Sequence, residues 1–133
     1  MNTVREQRAA SQAEVNAICE QIIGCAFRVS NTLGCGFLEK VYENALGMEL
    51  RKADLRVEQQ KPLRVLYDGA VVGEFSCGLV IEDCVIVELK AAGALDDSHL
   101  AQCLNYLKAT GIRVGLLLNF GKPRVEIRRV VLD

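Results

Sequence analysis

The chain lacks most of the features that would announce a chemistry at once. None of its six cysteines forms a C-x-x-C pair, and its one histidine is His99. Zinc sites show closely spaced Cys and His ligands, so these thiols read as reduced, mostly buried small hydrophobes. There is no excess of basic residues. Sixteen Lys and Arg stand against seventeen Asp and Glu, for a net charge of -1. Any grip on nucleic acid would therefore need a local patch. No apolar run is long enough to span a bilayer. The opening "MNTVREQRAASQAEV" has no apolar signal-peptide core, and the expected location is cytoplasmic. Repeats, low-complexity tracts and internal linkers are absent too.

What is present fits one domain with one core: 133 residues, half of them hydrophobic and a quarter charged. Residues 1–12 are polar and expected to fray, leaving a single domain over 13–133. Val15, Ile18, Cys19, Ile22, Ala26 and Val29 recur at helical spacing, and "NTLGCG" from Asn31 reads as a break. A second helix is expected from near Phe37, with Leu38, Val41, Tyr42, Ala45 and Met48 as its apolar stripe. From Leu55 the period changes to that of strands, with "YDGA" as a turn. Asp96, Asp97 and Ser98 suit a helix start, Leu100, Cys103, Leu104 and Leu107 mark its body, and Gly111 ends it. "IRVGLLLNF" reads as a strand buried on both faces, and "RVEIRRVVL" as a last strand after the turn "GKP". The order predicts an α/β chain of the α+β type, a mixed central sheet flanked by helices.

The chemistry-bearing stretch is "EFSCGLVIEDCVIVELK", two strands around a tight turn. Glu88 and Lys90 are two apart on a strand and point to one face. An acid and a lysine so placed can hold a divalent metal beside a phosphate, given a second acid on the neighbouring strand. If Glu82 and Asp83 alone form the loop, Cys77 sits opposite Glu88. If Cys84 joins them, Gly78 does. A one-residue slip changes the face, and Asp-Cys is not a strong turn pair. Neither register puts an acid opposite Glu88. Glu74 is four residues from Gly78, about 13 Å along a strand.

"GFLEKVY", Gly36 to Tyr42, matches a G-x-x-E-x-x-Y signature. With "LGCGFLEKVYENAL", "EQQKPLRVLYDG", "VIVELKA", "HLAQCLNYLK" and "GLLLNF", the chain from about Val15 onward resembles the GxxExxY protein family, a branch of the PD-(D/E)XK nuclease-like superfamily. The resemblance implies a restriction endonuclease-like fold with a mixed central sheet. It implies site roles for Glu39 on a helix, for Glu88 and Lys90 as the E-x-K element, and for Gln102 on a later helix. The family's first catalytic Asp precedes a "LLV"-like run, here Leu79, Val80 and Ile81, so its place is taken by Gly78. That alignment favours the three-residue loop.

An intact site of this kind would hold magnesium or manganese on two carboxylates, polarise a phosphoryl oxygen and orient water with the lysine. Here the ligands left are Glu88, the main-chain carbonyl of Leu89, and Glu39 through water, a weak cage. The expectation is a degenerate site in a module that binds nucleic acid or a protein partner, or self-associates as a homodimer through the edge strand "RVEIRRVVL". The alternative is an active Mg/Mn-dependent nuclease on DNA or RNA. The bland readings run alongside. Glu39 also reads as a dipole partner of its helix, Glu88 and Lys90 as an ion pair on the sheet, and His99 and Tyr42 as structural residues. The polar face of His99, Gln102 and Tyr106 either looks into the site or flanks an amphipathic helix. Lys122, Arg124, Arg128 and Arg129 read as a solvated face.

Overall fold

The computed structural model describes residues 10–133. Three helices and five strands follow in the order α1 (Gln12–Leu33), α2 (Glu39–Lys52), β1 (Val57–Tyr67), β2 (Ala70–Ile81), β3 (Val85–Lys90), α3 (Asp97–Thr110), β4 (Val114–Asn119) and β5 (Glu126–Val131). The segment expected to fray lies outside the described residues as far as residue 9. Its end is ordered: Ser11 caps α1 in a reciprocal box with Glu14, so Gln12 is already helical. Among the described residues, no helix is long and apolar enough to cross a membrane.

The sheet is mixed, in the order β1-β2-β3-β4-β5. Only β3 and β4 run parallel, with Glu88 beside Leu117 and Lys90 beside Asn119. Helix α3 makes the crossover between them, as a parallel pair requires. Strand β4 is buried at every position, because helices cover both faces of the sheet there. On one face, Val85, Val87 and Leu89 pack with Leu116 and Leu118 against Cys19, Ile22 and Val29 of α1 and Tyr42, Leu46 and Leu50 of α2. On the other, Val80 and Ile86 pack against Cys103 and Leu107 of α3.

The break between α1 and α2 comes later than the sequence suggests. Asn31, Thr32 and Leu33 stay helical, since nothing in them stops a helix, and Gly34 ends it at φ 69°. Helix α2 then starts at Glu39 rather than at Phe37. The tyrosine of the G-x-x-E-x-x-Y stretch explains the connection. Tyr42 is fully buried and stacks on Phe120, with ring centroids 4.8 Å apart. Its hydroxyl donates to the Gly34 carbonyl at 2.7 Å and accepts from the Phe37 N–H at 3.2 Å. One phenol thus ties both ends of the glycine loop to the core.

All six cysteines are free thiols; Cys19, Cys25, Cys77 and Cys103 are buried, Cys84 is half-buried and Cys35 is exposed. Asn119 is buried at the end of β4 and fully engaged. Its amide accepts from the N–H groups of Ala92 and Gly121 and donates to the Ala92 carbonyl and to Glu126. That clamp holds the β3–α3 connection against β4. The C-terminal basic residues are absorbed locally: Arg124 lies over the Phe27 ring, Lys122 near Glu126, and Arg129 on Asn16.

Tyr42→Phe keeps the ring and removes both hydroxyl bonds. It is expected to lower unfolding free energy by about 1–3 kcal/mol, since the Gly34 carbonyl loses its partner inside the protein. Urea denaturation of both proteins checks this; an unchanged midpoint would mean the loop is held by something else.

Candidate functional site

The register question is settled at the turn between β2 and β3. Glu82 and Asp83 both sit in the left-handed region, φ 52° and 55°, and the Cys84 N–H closes the turn on the Ile81 carbonyl at 3.0 Å. Cys84 is nevertheless left out of the ladder, and pairing resumes with Ile81 opposite Val85. The loop is thus the three-residue one, Glu82, Asp83 and Cys84, which the family alignment favoured. Acidic side chains are held there by Arg56, which ion-pairs with Asp83 at 2.9 Å and donates its N–H to Glu82.

Following that register, Gly78 comes level with Glu88, and the strand swivels at this point. Leu79 faces the α1 and α2 core, while Cys77, two residues earlier, faces the α3 core. An unbroken strand would put both on one face. The neighbouring strand breaks at the same level, where Gln60 lies in the left-handed region at φ 53° between the pairs Gln59–Leu79 and Lys61–Cys77. Gly78 allows the close approach, because a Cβ there would lie 3.0 Å from the Val87 carbonyl oxygen and 3.4 Å from Oε2 of Glu88. The same geometry shows that a side chain at 78 would point at Glu88.

Glu88 is only 7% exposed. Its Oε2 accepts a 2.8 Å hydrogen bond from the Gly78 N–H. Burial pushes its carboxyl up to about 7; the Gly78 N–H and the Lys90 ammonium pull against this, and the charges of Glu39 and Glu43 add to it. Lys90, two residues on, donates to Oε1 of Gln102 at 2.8 Å, and the Gln102 amide donates to the Tyr106 hydroxyl at 3.3 Å. The structure therefore brings Gly78, Glu88, Lys90 and Gln102 together, with Tyr106 behind them. Glu39 opens α2, is exposed, and acts on Glu88 as a charge through space, ahead of Glu43. His99 leaves the polar face it was grouped with and turns back to the helix start. Its Nδ1 accepts from the Asp96 N–H, completing a capping box.

Sequence reasoning missed Glu43 and its partners. Glu43 is 5% exposed on α2, one turn after Glu39. Gln60 donates to its Oε1 at 2.7 Å, and Gln59 and Lys40 donate to its Oε2 at 2.9 and 3.0 Å. The signal was available as Glu39 and Glu43 at i, i+4 together with the polar run "EQQK" in a strand.

Do these groups suit a divalent cation? A hard ion wants several oxygens in near-octahedral array. Glu88 offers one carboxylate with an oxygen already bonded to Gly78, glycine offers no side-chain oxygen, and both oxygens of Glu43 are taken. Among the described residues, no three Asp, Glu, His or Cys side chains converge. The donor set does not fit the two-carboxylate magnesium site of a working E-x-K centre.

The profile of the PD-(D/E)XK nuclease superfamily matches residues 16–130. The chain belongs to that superfamily. Two solved structures share the superfamily's fold with it. One, the crystal structure of SSO0001, superposes with a TM-score of 0.58 at 17% identity, covering 71% of this chain and 50% of that one. The other is an alkaline exonuclease from Laribacter hongkongensis, with a TM-score of 0.53 at 12% identity over 98% of this chain and 75% of the exonuclease. This chain thus spans half the length of SSO0001. No curated protein matches it significantly. Identities this low carry the fold and leave the superfamily's chemistry to be argued from the site.

The buried acid makes a pH prediction. An acid whose folded pKa lies above its ordinary value holds its proton more tightly when folded. Between the ordinary 4.5 and about 7, the unfolded chain carries fewer protons, so the contribution of Glu88 to stability falls as pH rises through that window. The full cost, about 3 kcal/mol, is present above it. Glu88→Gln keeps an acceptor for Gly78 and removes the charge. The variant should gain on the natural protein at pH 8 and not at pH 4.5, by urea melts at both. A difference independent of pH would mean that Glu88 does not titrate in this range.

Proposed function

We propose that the chain is a nuclease-like domain of the GxxExxY branch in which Gly78 has replaced the first metal-ligand acid. In this reading residues 13–133 form one cytoplasmic domain that works as a binding or self-association module and not as a nuclease. One observation carries it: position 78 points at Glu88 from across the hairpin and supplies no side-chain oxygen. Glu88, Lys90 and Gln102 would be the remnant of the catalytic set. The Leu89 carbonyl and Glu39, through water, would be too little to complete a magnesium or manganese cage. The remnant can still bind. A partner that brings a cation or a hydrogen-bond donor to Glu88 stabilises its charged form, and a phosphate or carboxylate suits Lys90. Nucleic acid and protein partners both offer such groups.

An active nuclease is the second reading, and Glu43 favours it. This second carboxylate lies near enough for its charge to act on Glu88. Were Gln59 and Gln60 to release it, α2 would supply the acid that β2 has lost.

Calorimetry with manganese and with magnesium separates the two readings. The natural protein should show no saturable binding, and it should not cleave single- or double-stranded DNA or RNA. Gly78→Asp should gain manganese binding, read as a rise in melting temperature with metal, because a ligand bound only to the folded state stabilises it. Glu88→Gln in the same background should abolish the gain. The Asp variant itself should melt below the natural protein, since its Cβ crowds the Val87 carbonyl. Saturable binding or cleavage by the natural protein that Glu43→Gln removes would establish the second reading instead.

A further inference from the structure

Beyond the swivel at Gly78, β1 and β2 leave the sheet as a two-stranded arm. Strand β3 pairs with β2 only at Leu79, Val80 and Ile81, while β1 and β2 stay paired out to Tyr67 and Ala70. The arm carries apolar residues into solvent: Leu66 is 60% exposed, Tyr67 70% and Val72 62%, with Val65, Val71 and Phe75 exposed as well. A lone two-stranded ribbon is marginal in water, and this one has apolar side chains without cover. Between the arm and α3 lies a groove of about 900 Å³, lined on the arm side by Leu63, Leu66, Val72 and Phe75 and on the helix side by Ala101 and Tyr106.

We propose that this arm is the contact surface of a homodimer, each arm tip lying in the arm–α3 groove of a second copy of the chain. Charge complementarity points to a second copy. The tip carries Asp68 in its left-handed turn, and the groove carries Arg64 and Lys108. Neither Asp68 nor Lys108 makes an ion pair among the described residues. A two-fold axis sets Asp68 of each copy against Lys108 of the other, as an isologous interface demands. The area agrees. The six exposed apolar side chains leave roughly 550 Å² per chain, on typical residue areas. Two chains bring roughly 1,100 Å², the groove-lining Leu66, Val72 and Phe75 included, at the small end of specific interfaces where association is weak. Nucleic acid fits less well, because the arm's two cations, Lys61 and Arg64, are balanced by Asp68 and Glu74, and both are already paired, Lys61 with Glu58 at 3.2 Å and Arg64 with Glu74 at 3.6 Å. The β5 edge fits less well too, since Arg128 and Arg129 guard it.

The proposal deepens the self-association part of the reading above and does not depend on the state of the site. Sedimentation equilibrium from about 1 to about 500 µM tests it, the span in which an interface of this size associates. The natural protein should dimerise. Leu66→Asp and Val72→Asp should each give monomers with unchanged far-UV circular dichroism, because both residues are exposed in the monomer. Asp68→Lys should weaken the dimer at least tenfold, and adding Lys108→Asp should restore it. A natural protein that stays monomeric overturns the proposal, as does a dimer indifferent to both arm substitutions. A charge swap that restores nothing overturns the pairing of tip and groove. Saturable metal binding by an arm-mediated dimer would overturn the impaired-site reading alone.

Discussion

The hydrogen bond from the Gly78 N–H to the Glu88 carboxylate is the point on which the molecule turns. It joins two strands at the level where one of them leaves the sheet. On its inner side the register is regular and the side chains belong to two well-covered cores. On its outer side the ribbon is free of β3 and open to solvent. The carboxylate it holds lies in a nearly dry place, and that burial keeps its proton toward neutral pH while the bond itself pulls the other way.

Glycine at 78 has two consequences that cannot be separated. It supplies no side-chain oxygen opposite Glu88, and it makes room for the Val87 carbonyl at a distance a Cβ would crowd. Glu43 of α2 is likewise engaged within the fold. It is buried, and its oxygens are occupied by two glutamines and a lysine. Groups that could serve a cation are spent on each other, which stabilises the fold while leaving little for a ligand. What stays available is the line from Lys90 through Gln102 to Tyr106 and on to the groove beneath the arm.

Much of this was legible in the residues. The helical stripe of α1, the start of α3 at Asp96 and its end at Gly111, the doubly buried β4 and the turn at Asp68–Gly69 all rest on local rules: periodicity, capping and positive-φ preference. The E-x-K spacing put Glu88 and Lys90 on one face, and Gln102 does meet Lys90. Tyr42 was expected in the core with a satisfied hydroxyl, and its partners at Gly34 and Phe37 explain the spacing of the G-x-x-E-x-x-Y stretch. Other features were hidden. Glu39 and Glu43 differ by one helical turn, and nothing in the chain says which of them is buried.

What the sequence determined by itself was the set of elements, their order and the face on which each chemical group sits within its own element, because these follow from contacts a few residues apart. Tertiary structure alone decided the swivel at Gly78, the burial of Glu43 and the exposure of the arm. Each of these depends on which surfaces are covered by something distant in the chain. A strand looks the same in sequence whether its pairing continues or stops, and here β2 leaves β3 after Leu79–Val87 although β3 runs on to Lys90, which separates the sheet from the arm.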